Sequence, residues 1–219
     1  MSQVKLTAVD QTMAFSDPKM PQDLIDAWSY TTTFAQAAAR HVNPDPSSDA
    51  YFKTMRAELS NLGWIVTDAG RLNYNQSSNK IEPATIVKSI LNPYLSGEQQ
   101  KQLAGILDAI KQPDVKATGF LDFWWKKAST HADKANMAMG PLTEVNNSAN
   151  ISMIHYGFNF DASSWRSLFV ESSTAKLDVS AFNIEMNLNL DLYNREKSAL
   201  ISKISGKVDQ HIDDTVLDL

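Results

Sequence analysis

Cysteine is absent from the 219-residue chain, which excludes disulfides, thiolate metal sites and cysteine nucleophiles in any redox compartment. Glycine and proline are sparse, with eight of each, and that composition excludes a low-complexity or disordered chain. No apolar run is long enough to cross a bilayer as a helix. The stretch from Met1 to Thr12 lacks the cationic start and continuous apolar core of a secretory leader. The expected location is therefore cytoplasmic, with signal-independent export left open.

Positive charge is also short. Lys and Arg total 20 against 25 Asp and Glu, for a net charge of −5. No basic stripe is visible. Phosphate affinity comes mainly from clustered cations that release counterions, so a nucleic-acid partner is not expected. Recognisable catalytic signatures are missing too: there is no Gly-x-Ser-x-Gly elbow, no His-Glu-x-x-His helix and no dinucleotide glycine fingerprint. Gly206-Lys207 lacks the upstream glycine of a phosphate loop, and Val208 stands where a hydroxyl should hold magnesium. No cofactor is implied.

What is present is an ordinary apolar content, 43% of residues, arranged in two patterns. A chain of this length buries a proper core in one domain. Over residues 18–135 the apolar positions repeat at helical spacing. Pro21 suits a helix start, with Leu24, Trp28, Thr31, Phe34 or Ala35, and Ala38 along one face and an end near His41. After Asn43-Pro44-Asp45-Pro46, a second helix carries Phe52, Met55, Leu59 and Leu62 until Gly63 supplies a left-handed cap. Further helices are predicted after Pro83, after a capping box at Ser96-Gly97-Glu98-Gln99, and through Phe120 to Ala128.

The pattern changes near Gly140-Pro141. Over 136–194 apolar residues alternate, at Ile154, Tyr156, Phe158 and Phe160, and again at Phe182, Ile184, Met186, Leu188, Leu190 and Leu192. Each run reads as a strand with one wet face. Leu177 and Val179 have the opposite parity, which calls for a bulge near Ala181. Trp165 to Glu171 reads as another strand, and the tail 195–219 as helix interrupted by Gly206. The expected fold is α+β: four or five N-terminal helices packed in a single domain with a C-terminal antiparallel sheet.

Two segments are candidates for contact with a protein partner or a membrane surface. In Phe123-Trp124-Trp125-Lys126-Lys127, aromatics wider than one helical stripe are followed directly by two cations, the composition of an interfacial anchor. The plain alternative is a core helix with a charged exit, because large aromatics dominate cores as well as interfaces. The strand from Phe182 to Leu192 has about the length that crosses a bilayer and a mostly asparagine polar face. The same pattern serves a half-buried sheet strand.

Acid-base groups are thinly spread. His155, Tyr156, Asp161 and Arg166 lie close in sequence and are the candidates for a pocket between helices and sheet. His211 with Asp213 and Asp214 is the nearest approach to a ligand cluster, at a spacing that matches no known metal site. No metal is expected. The leading function class is a non-enzymatic interaction protein, membrane-active or toxin-like. An enzyme or small-ligand protein and a structural or assembly protein are the alternatives, and the oligomeric state is open.

Overall fold

The computed structural model describes residues 3–46, 48–72, 83–111, 115–131, 134–159, 178–206 and 208–219. The N-terminus folds as sheet. Strands β1 (Gln3–Val9) and β2 (Thr12–Ser16) form a hairpin across the two-residue turn Asp10-Gln11. Asp10 takes a left-handed φ of +49°, a conformation that Asp tolerates better than most residues. Helices α1 (Gln22–Val42) and α2 (Asp49–Asn61) follow and pack on each other. Pro21 stands at the N-cap of α1, and the Ser48 side chain caps α2 by accepting the Tyr51 amide.

Gly63, at φ +99°, turns the chain into β3 (Trp64–Leu72). Helix α3 (Pro83–Leu91), a 3-10 turn at Asn92–Tyr94, α4 (Gly97–Lys111) and α5 (Val115–Ala128) complete the helical stretch. The capping box forms as expected: the Ser96 amide donates to Gln99 Oε1 at 2.8 Å, and the Gln99 amide to Ser96 Oγ at 3.4 Å. Strands β4 (Ser129–His131), β5 (Lys134–Val145), β6 (Ser148–Asn159) and β7 (Asp178–Leu188) come next. The chain ends in α6 (Leu190–Ile204), the short α7 (Val208–His211) and β8 (Ile212–Asp218).

All eight described strands join one sheet, ordered β3-β7-β6-β5-β2-β1-β8, with β4 beside β5. The β2–β5 pair is parallel and the others are antiparallel. The fold is therefore mixed α/β with interspersed helices, which corrects the expectation of an antiparallel sheet confined to the C-terminal part. Strands from both chain ends complete the sheet. Gly140-Pro141 lies inside β5, and the tail, helical as expected through α6 and α7, ends in the strand β8. The helices form two layers. Those from α3 to α5 bury one apolar cluster on one face of the sheet, while α1, α2 and α6 bury a second on the opposite face. Sheets covered on both faces bury residues of either parity. The Ala181 bulge is then unnecessary: β7 pairs with β6 in unbroken register, and Ala181 faces the first cluster while Phe182 faces the second. The register shift falls instead in β3, between Val66 and Asp68. The expected strand at Trp165–Glu171 lies outside the described residues.

Candidate functional site

Helix α5 places its aromatics inward. Trp124 has no solvent exposure, and its indole N–H donates to the Gln11 carbonyl at 3.0 Å. Phe123 and Trp125 are half-buried against the first cluster. Lys127 lies 5.7 Å from the Phe123 ring centroid, and its ammonium is 3.5 Å from Asp10 Oδ1. Lys126 is exposed. Trp124 thus belongs to the core, while Phe123 and Trp125 cover its edge and stay partly exposed.

The amphipathic strand ends earlier than its alternation suggests. Phe182, Ile184, Met186 and Leu188 are buried on the second cluster. Asn189 then caps α6 by accepting the Leu192 amide at 3.1 Å, so Leu190 and Leu192 belong to that helix, the latter well exposed. The neighbouring strand β6 matches β7 in length. The two pair from Asn150↔Asn187 to Asn159↔Asp178, with Ile151 opposite Met186 and Met153 opposite Ile184 on the apolar face. The reverse face at the Asn150 end carries Asn150, Ser152, Asn183, Glu185 and Asn187. Asn183 is buried and its amide donates to Asp68, while Asn187 is exposed.

His155 and Tyr156 diverge to opposite faces, as neighbours on a strand must. His155 sits edge-on to Phe52 of α2 at 5.5 Å, and burial lowers its pKa to about 4. Tyr156 donates to the Val87 carbonyl of α3 at 3.1 Å, and burial raises its pKa well above the usual phenol range. Asp161 and Arg166 lie outside the described residues. The void beside His155 beneath α1 and α2 measures only about 20 Å³. A cleft of about 440 Å³ lies elsewhere, between the end of β2, α4 and β5, lined by Asp17, Lys19, Ser96, Glu98, Gln102 and Glu144 among others. Among the described residues, no cluster of three His, Asp or Glu side chains is placed to hold a metal ion, and no helix is long and apolar enough to cross a membrane.

The polar centre that the sequence reading missed is the β1–β2 turn. Asp10, 2% exposed, accepts from Arg40 of α1 at 2.6 Å and from His211 Nδ1 at 2.8 Å. His211 thus pairs with a carboxylate 201 residues away and not with Asp213 or Asp214. Gln11 donates to the Tyr51 hydroxyl at 2.9 Å, and Thr12 meets the Gln36 amide at 2.5 Å. Asp10, one charge among the mixed polar and isolated apolar residues of the N-terminal segment, stood out by no local signal. Its partners are all distant in sequence.

No known family model matches the sequence, and no curated protein is matched by it. Solved structures overlap the fold loosely. A delta-endotoxin is 13% identical over 84% of this chain and 86% of its own, with a TM-score of 0.46. The activated Cyt2Ba monomer from Bacillus thuringiensis subsp. israelensis is 14% identical over 81% and 96%, with a TM-score of 0.46. The Evf virulence factor is 11% identical over 90% and 75%, with a TM-score of 0.36. At such scores the likeness carries no argument about function.

Proposed function

We propose that this chain is a non-enzymatic, membrane-active protein that keeps an amphipathic β-hairpin under a helical cover. The carrying observation is the β6–β7 pair. Its strands of 12 and 11 residues match the roughly 9–11 residues that a tilted strand needs to cross the hydrocarbon core. One face is apolar at Ile151, Met153, Ile184 and Met186, and carries His155 further along, against Phe52. The other turns polar towards the Asn150 end. In water the apolar face requires α1, α2 and α6. Against lipid it needs no cover, and paired strands already satisfy their shared backbone groups.

Dye release from neutral and anionic vesicles, at neutral and acid pH, tests this reading. Release is expected, accompanied by a polarity-sensitive dye on Asn187→Cys reporting an aqueous environment, in a chain with no competing thiol. No release from any vesicle under either condition overturns the proposal. A second reading, small-ligand binding, rests on the 440 Å³ cleft, whose size is that of ordinary ligand sites. Thermal-shift screening with small polar compounds tests it, and Gln102→Trp, which fills the cleft, should abolish any hit.

A further inference from the structure

We infer that the β1–β2 turn Asp10-Gln11, with Thr12 at the start of β2, is a latch that fastens both helical layers to the sheet. The first layer is held through α5: Lys127 reaches Asp10 Oδ1 at 3.5 Å, and the Trp124 indole donates to the Gln11 carbonyl at 3.0 Å. The second is held through α1 and α2. Arg40 donates to Asp10 Oδ2 at 2.6 Å and to Gln11 Oε1 at 3.3 Å, Gln36 donates to Thr12 Oγ1 at 2.5 Å, and Gln11 Nε2 donates to Tyr51 Oη at 2.9 Å. The C-terminal segment closes on the same point, because the Asp10 amide donates to the His211 carbonyl at 2.8 Å while His211 Nδ1–H donates to Asp10 Oδ1. Three consecutive residues thus contact four helices.

The charge balance makes the device all-or-none. A carboxylate this buried is tolerated only while its cationic partners stay in place, and withdrawal of one leaves the others with an incompletely paired charge. Contacts that share one carboxylate are coupled, so α1, α5 and α7 should loosen together. The Ala138 amide also donates to the Gln11 carbonyl at 2.9 Å, which seats the latch on the sheet. The side chains of the latch lie outside the β5–β6–β7 ladder, so local loosening of the helix ends leaves that strand pairing in place.

Asp10→Asn is the matched probe. Asn tolerates the left-handed backbone that Asp10 adopts, so the turn survives while the charge is lost and an amide faces donors. Native-state hydrogen exchange without any vesicle reads the latch directly. Exchange of the C-terminal half of α1, the end of α5 and α7 should accelerate together by tenfold or more, with β5, β6 and β7 amides unchanged. Leu103→Ala, a core truncation of α4, a helix that makes none of the latch contacts, serves as the comparison of general destabilisation. Acceleration in only one of the three helices, equal acceleration of the strands, or the same pattern in Leu103→Ala overturns the latch. Faster vesicle dye release by Asp10→Asn depends additionally on the membrane-active reading. Coupled exchange without release would leave the latch standing and remove that reading instead.

Discussion

His155 shows how much one side chain's environment decides. It stands between Phe52 and the β6–β7 sheet, and desolvation lowers its pKa from 6.5 to about 4. The folded state therefore binds its proton later than the unfolded chain does. The contribution to stability is complete above the unfolded pKa and is lost as pH falls from 6.5 towards 4. At 1.36 kcal/mol per unit, the loss amounts to about 3 kcal/mol. Urea titrations across that interval should show it, and His155→Leu should flatten the dependence; an unchanged slope would assign the acid sensitivity to other groups. Ser29 offers the opposite case. Its hydroxyl is buried on α1 with no hydrogen-bond partner. Ser29→Ala should stabilise by about 1 kcal/mol, combining better helix propensity with removal of an unpaired hydroxyl. Calorimetry should record a melting rise of roughly 2–4 °C.

Among the elements, those fixed by nearby residues were legible. Pro21 before α1, the Ser96–Gln99 box before α4 and the positive φ of Gly63 are all local signals. The hairpin between β5 and β6 has a local signal too: Asn146 and Asn147 both have positive φ, the pair that a two-residue turn of matching twist requires. Leu190 and Leu192 show where alternation misleads. Their spacing continues that of β7, but Asn189 starts a helix, and a capping side chain outweighs a pattern of two residues. Gly63 also joins elements. A Cβ there would lie 2.8 Å from the Tyr193 amide nitrogen and 3.0 Å from the Asn189 carbonyl oxygen, besides forcing a left-handed backbone on a residue with a side chain. Gly63→Ala should cost about 2 kcal/mol or more, summing backbone strain and displacement of the α6 start. A denaturant midpoint indistinguishable from the parent would mean that the α2–β3 turn relaxes freely.

At the scale of the molecule, sequence periodicity fails for a physical reason. Strands covered on both faces show no clean alternation, which is why β1 and β2 escaped notice: Met13 and Phe15 face one cluster, while Val9 and Ala14 face the other. Sheet order is non-local besides. Strand β1 pairs with β8 from Gln3↔Asp218 to Val9↔Ile212, so the open sheet reaches its full width only when segments about two hundred residues apart meet. Such long-range pairing slows folding, because loop closure precedes the contacts that offset it. Removal of Ile212–Leu219 uncovers the β1 edge, withdraws Leu217 and Leu219 from the first cluster, and leaves Lys5 without Asp214, its ion-pair partner at 3.0 Å. Exposed edges are templates for intermolecular pairing. The truncated chain should therefore refold slowly and aggregate in proportion to its concentration, as light scattering during dilution from urea would show. Recovery of a monomer with the parent's melting temperature would show that β8 is dispensable and that the sheet is completed at β1.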